Sequence, residues 1–179
     1  MFPATPYDAK GMLNLALRGT DPVIFFESQL LYDMPELFEK NGIPEGYYEI
    51  PEGEPALRRP GKDLTIATLG ATLYRAMDAA KVLEAKYGIS TEVLDLRFIT
   101  PLNYDRLLES VRKTGRAVVA HEAPRHCGVG AEIIARIVED SLMYLEAPIR
   151  RVTGFDTIIP YFSNERAYLP DAGRVVQAA

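Results

Sequence analysis

Apolar positions along the latter two thirds of the chain recur in two rhythms that alternate. Residues 63–69 (DLTIATL) form a β-branched run ending at Gly70 and read as a buried strand. In residues 72–87, Leu73, Ala76, Met77, Ala80 and Leu83 recur at three- and four-residue spacing, which predicts an amphipathic helix closed by Gly88. The alternation continues with a strand over 91–96 (TEVLDL) and a helix over 104–114, with Asn103 as its N-cap and Gly115 beyond its end. A strand over 116–121 (RAVVAH), a helix over 131–145, a strand over 148–153 (PIRRVT) and a closing helix over 171–178 complete the series. Short strands alternating with helices build βαβ units, so the predicted fold is an α/β layered domain. Its parallel sheet should have right-handed crossovers and helices on both faces.

The first part of the chain reads differently. Residues 7–18 predict a helix with Ala9, Met12, Leu13, Ala16 and Leu17 on one stripe. Asp21-Pro22 makes a turn, and residues 23–26 (VIFF) read as a strand. One helix and one strand cannot bury both of their apolar faces, so this piece should need a surface on another chain or in sequence absent here. Between the two parts, residues 41–62 carry Pro44, Pro51, Pro55 and Pro60, and read as an extended linker. The expected organisation is therefore 1–40, a linker over 41–62, and a main domain over 63–179. The main domain should fold on its own, and residues 1–40 should be held only by partners.

Composition narrows the function. With 20 Lys and Arg against 25 Asp and Glu, the net charge of −5 argues against nucleic acid as the main partner. No apolar run approaches the roughly 20 residues that span a bilayer, so no membrane role is expected. The N-terminus lacks the basic start and apolar stretch of a signal peptide. A single cysteine forms no intrachain disulfide, which makes a reducing, cytoplasmic setting the expectation. Two histidines and that cysteine supply at most three ligands for a zinc site made of His and Cys alone.

Several clusters invite a chemical reading. Gly128-Val129-Gly130 opens a helix after a strand, but the dinucleotide fingerprint needs a third glycine where Ile133 stands, so a tight turn is expected. His121-Glu122 and Arg125-His126-Cys127 crowd titratable groups at a strand's carboxyl end, where open α/β sheets place ligands. His126 and Cys127 are adjacent and point apart, which makes them a poor nucleophile pair. His121 and Glu122 are expected to fix the strand end. Glu27, after Phe25-Phe26, either meets a partner or ends a solvated strand. Tyr47-Tyr48 suit an interface anchor, but the expected role is to pin the linker to the sheet. The residues alone describe an α/β domain belonging to an assembly, without a complete active site.

Several segments together resemble one family. Residues 5–11 (TPYDAKG), 21–27 (DPVIFFE) and Leu31-Tyr32 resemble the later part of the pyrimidine-binding domain in 2-oxoacid dehydrogenase β subunits. Residues 61–66 (GKDLTI), 92–97 (EVLDLR), 113–116 (KTGR), 121–124 (HEAP), 130–133 (GAEI), 146–152 (EAPIRRV) and 154–157 (GFDT) resemble the transketolase C-terminal domain of the same subunit. The family is the thiamine-diphosphate-dependent decarboxylating component of pyruvate, branched-chain 2-oxoacid or acetoin dehydrogenase complexes. Its α subunit binds diphosphate and magnesium, and the first domain of its β subunit holds the aminopyrimidine.

The resemblance implies a partial subunit. Family β subunits extend much further on the N-terminal side, where they carry a cofactor-activating glutamate and a substrate-facing histidine. No residue here matches either, nor the residues that select a 2-oxo acid, so no catalytic or cofactor-binding residue is assigned. Met1-Phe2-Pro3 falls where the family has the interior of a strand, which suggests an internal start, a split gene or a truncation. The isolated chain should bind no thiamine diphosphate and be inactive. The resemblance implies as partners the α subunit, a separately encoded N-terminal half, a second copy in a homodimer, and the dihydrolipoyl acyltransferase core. The alternative is a non-catalytic module for β–β pairing and core docking. In branched-chain members a monovalent cation sits at the end of the corresponding helix. The matching positions are the carbonyls of Ala16 and Gly19 and the side chain of Asp21, oxygen donors suited to a hard cation; the remaining family ligands have no match here, so the half-site is expected to stand empty.

Overall fold

The computed structural model describes residues 1–179. Five strands form one sheet, in which β1 (Ala56–Arg59), β3 (Thr91–Asp95), β2 (Leu64–Thr68), β4 (Ala117–Pro124) and β5 (Arg150–Gly154) lie side by side in that order. Strands β2, β3, β4 and β5 pair in parallel. Every residue of β2 and β3 is buried, as expected of parallel strands covered on both faces.

Side-chain alternation along the strands supplies two cores. On one face Leu64, Ile66, Val93, Val118 and Val152 pack against α2 (Thr72–Tyr87) and the closing helix α5 (Ala172–Ala178) through Leu73, Ala76, Leu83 and Val175. On the other, Ala67, Leu94, Leu96 and Val119 pack against α3 (Asp105–Thr114) and α4 (Val129–Ser141) through Leu107, Val111, Ile133 and Ile137. The buried Thr65 hydroxyl lies 2.7 Å from Ser110 Oγ and 2.8 Å from Thr114 Oγ1, which satisfies a polar group inside the second layer. Gly88 and Gly115, both at φ 68°, end α2 and α3 in the left-handed conformation.

Several expectations change. Residues 41–62 are not all linker, because Ala56–Arg59 form β1, an antiparallel edge strand on β3. Pro55 and Pro60 bracket this four-residue run, and an edge position tolerates the donors they lack. Residues 23–26 are extended but form no ladder strand. Phe26 N donates to Met1 O at 3.0 Å, and its ring stacks on Phe2 at 5.5 Å. Asn103 lies one residue outside the N-cap position of α3, with its Oδ1 accepting from Asp105 N at 3.0 Å. Helix α4 starts at Val129 rather than 131 and ends at Ser141, and residues 142–144 tighten into a 3-10 turn.

The first part of the chain is also anchored within the chain. In α1 (Pro6–Arg18), Met12 is fully buried against Ile50 and Phe98. Residues 44–50 strap this helix. Asn14 Nδ2 donates to Tyr48 O at 2.8 Å, Tyr48 OH donates to Tyr7 O at 2.8 Å, and Ile50 N donates to Gly11 O at 3.3 Å. A Cβ on Gly11 would come within 2.7 Å of the Tyr48 ring, so glycine is what lets the strap close. Tyr48 thus pins the linker to α1 rather than to the sheet, while Tyr47 stays exposed.

Candidate functional site

The densest polar arrangement lies where α1 meets the sheet. Thr5 caps α1 by accepting from Asp8 N at 3.1 Å, which sets Asp8 on the inner side of the first turn, fully buried. Asp95 ends β3, also fully buried. Between them reaches Arg58 of β1, its side chain 3% exposed. Arg58 Nη2 pairs with Asp8 Oδ2, and it donates to Asp95 Oδ2 at 3.0 Å. Arg97 Nη2 donates to Asp8 Oδ1 at 2.6 Å, and the Arg97 backbone N–H donates to Asp95 Oδ1 at 3.2 Å. To do this Arg97 adopts φ 61°, a conformation that costs a non-glycine residue energy. Its carbonyl accepts from Phe2 N at 2.7 Å.

Two carboxylates and two guanidiniums therefore close a charge-balanced tetrad in the interior. Burial pushes the Asp95 carboxyl up to about 6, with Arg58 pulling it down and Asp8 pushing it further up. The Arg58 guanidinium also lies 5.0 Å from the centre of the Phe38 ring. Both carboxylates are engaged by guanidinium nitrogens, while the buried Arg97 Nε is left without a hydrogen-bond partner. What the tetrad does is position: it fixes α1 against β1 and the end of β3.

A second polar cluster sits at the carboxyl end of β4. His121 is buried, and its Nε2 accepts from Gly130 N at 3.1 Å, so the ring caps α4 from outside the helix. Burial lowers its pKa, and Arg151 adds to the effect. A Cβ on Gly130 would lie 2.4 Å from His121 Nε2, and one on Gly128 would lie 2.3 Å from Pro124 O. The Gly128-Val129-Gly130 turn thus accommodates an imidazole where a phosphate cradle would need free N–H groups. Glu122 is half-buried, and its pKa is raised by burial and by Glu165, with Arg75 opposing. His126 and Cys127 do not pair. His126 Nδ1 lies 2.6 Å from Asp156 Oδ2, His126 N donates to Asp156 Oδ1 at 2.8 Å, and Cys127 is exposed. Glu27 is exposed and accepts from Tyr32 OH at 3.1 Å.

The positions matched to a cation site lie at the end of α1. The Ala16 carbonyl sits 3.6 Å from where a Gly19 Cβ would be, and Asp21 is exposed without a protein hydrogen-bond partner. No group of three or more His, Cys, Asp or Glu side chains in the chain is placed to hold a metal ion. The tetrad residues Asp8, Arg58, Asp95 and Arg97 were not singled out by the sequence reading. The available signal was an aspartate four residues before Met12 on the buried helix face, together with charged Asp95 and Arg97 beside apolar Leu94 and Leu96.

Comparison with known proteins places these features. The family described as "Transketolase, C-terminal domain" matches residues 53–175, a stretch that takes in β1. The 2-oxoisovalerate dehydrogenase subunit beta of Pseudomonas aeruginosa is 41% identical, over 98% of this chain and 52% of its own length. The pyruvate dehydrogenase E1 component subunit beta of Bacillus subtilis is 42% identical, over 100% of this chain and 54% of its own. A solved structure titled "Split gene transketolase, inactive beta4 tetramer" superimposes with a TM-score of 0.63 at 31% identity, covering 76% of this chain and 44% of that one. The chain spans about half the length of the curated relatives it matches. No helix is long and apolar enough to cross a membrane. With its mostly parallel five-stranded sheet and these matches, the chain belongs to the transketolase C-terminal domain family, and along its whole length it is similar to the β subunits of pyruvate and branched-chain 2-oxoacid dehydrogenases.

Proposed function

We propose that this chain is the β-side portion of a 2-oxoacid dehydrogenase decarboxylating component. It contributes to oxidative decarboxylation of a 2-oxo acid when joined by the remainder of the pyrimidine-binding domain and by the α subunit. The supporting observation is the two-sidedness of α1. One side is held by the buried tetrad, while Leu13 and Leu17 on the helix, and Ile24, Phe26 and Leu30 beyond it, are exposed. Several bare large apolar side chains beside a rigidly held element suit an interface. Those residues lie in the segment resembling the pyrimidine-binding domain, where the rest of such a domain would pack.

Thiamine diphosphate and magnesium belong to this reading only through the assembly. The Gly128–Gly130 turn is filled by His121, and the chain's carboxylates are not grouped for a metal. The residues present do not fit the cofactor. Isothermal titration of the isolated chain with thiamine diphosphate and magnesium is expected to give no saturable signal; a micromolar isotherm would sink the partial-subunit reading. Reconstitution is the decisive test. The chain is mixed with an α subunit and a polypeptide supplying the rest of a pyrimidine-binding domain, and dye reduction driven by a 2-oxo acid is followed. Turnover that depends on this chain is expected; a stable complex with no turnover would overturn the catalytic reading.

That second outcome would favour a non-catalytic assembly module for β–β pairing and docking to the dihydrolipoyl acyltransferase core. Its supporting observation is the ridge after β5, where Ile158, Tyr161 and Phe162 are 89%, 93% and 94% exposed. Both readings include a homodimer, which sedimentation at micromolar concentration detects. The cation half-site at Ala16, Gly19 and Asp21 is part of the first reading. Its test is potassium-dependent thermal stabilisation, expected to be absent from this chain alone, to appear in the reconstituted complex and to vanish there in Asp21→Ala.

A further inference from the structure

Strand β5 is an edge of the sheet, with β4 on one side and no strand on the other. Beside it runs a groove of about 360 Å³ lined by Arg150, Arg151, Val152, Arg174 and Gln177. A second hollow of about 290 Å³ continues it past the start of the strand to Arg116, sharing Arg150 and Gln177. The two form one elongated track. Arg150, Arg151 and Arg174 make no salt bridge to any carboxylate of the chain. Arg174 is held by the carbonyls of Tyr168 and Thr153 and by the face of Phe155, and Arg151 donates to Arg125 O. The Arg150 side chain makes no hydrogen bond. Three arginines without acidic partners thus converge on one edge of a chain whose net charge is −5.

We propose that this edge captures an extended acidic peptide segment of a partner protein, which adds alongside Arg150–Val152. Three features select that occupant. An open edge strand offers unpaired backbone groups that template another extended chain. Unpaired guanidiniums complement carboxylates through forked, charge-assisted hydrogen bonds. The track is long, with arginines spaced along it, which suits successive Glu or Asp side chains better than one compact anion. Addition ends at Thr153, whose carbonyl is taken by Arg174, and at Gly154, where Tyr168 OH lies 2.6 Å from the position of a Cβ. This inference stands independently of the catalytic reading, because it uses neither α1 nor the tetrad.

The probe is a fluorescein-labelled hexaglutamate peptide, titrated by fluorescence anisotropy against the full chain at low and physiological salt. Saturable binding is expected, weakened about fivefold to tenfold by Arg150→Gln and by Arg151→Gln, and unchanged in Arg166→Gln, an exposed arginine outside the track. Hydrogen exchange should slow at the amides of 150–152 when peptide is bound. Equal weakening by Arg166→Gln would mean diffuse charge attraction and overturn the proposal. So would binding that leaves exchange at 150–152 untouched, or inorganic phosphate competing at the concentration of peptide carboxylate groups. Circular dichroism of each variant separates lost binding from lost fold.

Discussion

Helices α1 and α2 share one apolar rhythm and meet opposite fates. Helix α2 turns Leu73, Ala76, Ala79, Ala80 and Leu83 into the core, all nearly inaccessible. Helix α1 buries an aspartate, a glycine and one methionine, and leaves Leu13 46% and Leu17 76% exposed. The first is held by non-directional apolar burial, which tolerates small shifts. The second is held by directional ion pairs, which fix one orientation and lose much of their benefit if a partner is removed. Periodicity reports that a helix has an apolar face; whether the fold covers that face depends on what lies opposite.

The sharpest way to break this comparison is Asp8→Ala. It leaves two buried guanidiniums with one carboxylate between them, and should destabilise by about 3–5 kcal/mol. The loss should be regional: limited proteolysis is expected to cut within residues 1–50 while a fragment carrying the sheet survives. Uniform digestion would mean that α1 and the sheet unfold as one unit. Leu73→Ala should cost about 2–5 kcal/mol through lost burial and a cavity. Here denaturant unfolding monitored over the whole molecule should shift, without any early release of α1.

Acidification should separate the two polar clusters by sign. Asp95 has a raised folded pKa, so its contribution is present below its unfolded value and is lost as pH rises through about 6. His121 has a lowered folded pKa, so its contribution is present above its unfolded value and is lost as pH falls below it. Between pH 7 and pH 5 the α1 lock therefore gains while the β4–α4 corner loses. In thermal melts across that window, Asp95→Asn should steepen the acid loss and His121→Gln should flatten it. Shifts in the same direction would contradict the assignment. The smallest effect is expected of Leu17→Ser, within about 0.5 kcal/mol in the monomer because the side chain is already in water. Any large effect on reconstitution or self-association would then locate an interface on α1.

Much of the fold could be read because its signals are local. The alternation of buried strand and amphipathic helix from residue 63 onward lies in runs that each bury their own face, and the sheet follows. Strand β1 was hidden because its four residues stand between prolines, and its partner β3 lies across α2 in sequence. The tetrad was hidden for a related reason: Asp8 and Arg97 are 89 residues apart, and isolated charges ordinarily read as surface. His121 reads as a strand-end group because the N–H it serves belongs to a later helix. Gly128 and Gly130 were legible as a turn, but the imidazole that makes them necessary was not.

The position of β1 in the sheet has a consequence for the order of folding. It precedes β2 in the chain yet lies beyond β3, so nothing exists for it to pair with until β2, α2 and β3 have come together. Arg58 travels with β1, and Asp8 finds both arginines only after that step. The local β2-α2-β3 unit should therefore form early, and residues 1–59, though synthesised before it, should dock late because their contacts close long loops. Pulsed hydrogen exchange during refolding would follow this sequence. Amides of β2 and β3 should gain protection before those of α1, and a translating ribosome would hold the first helix exposed until most of the sheet had emerged.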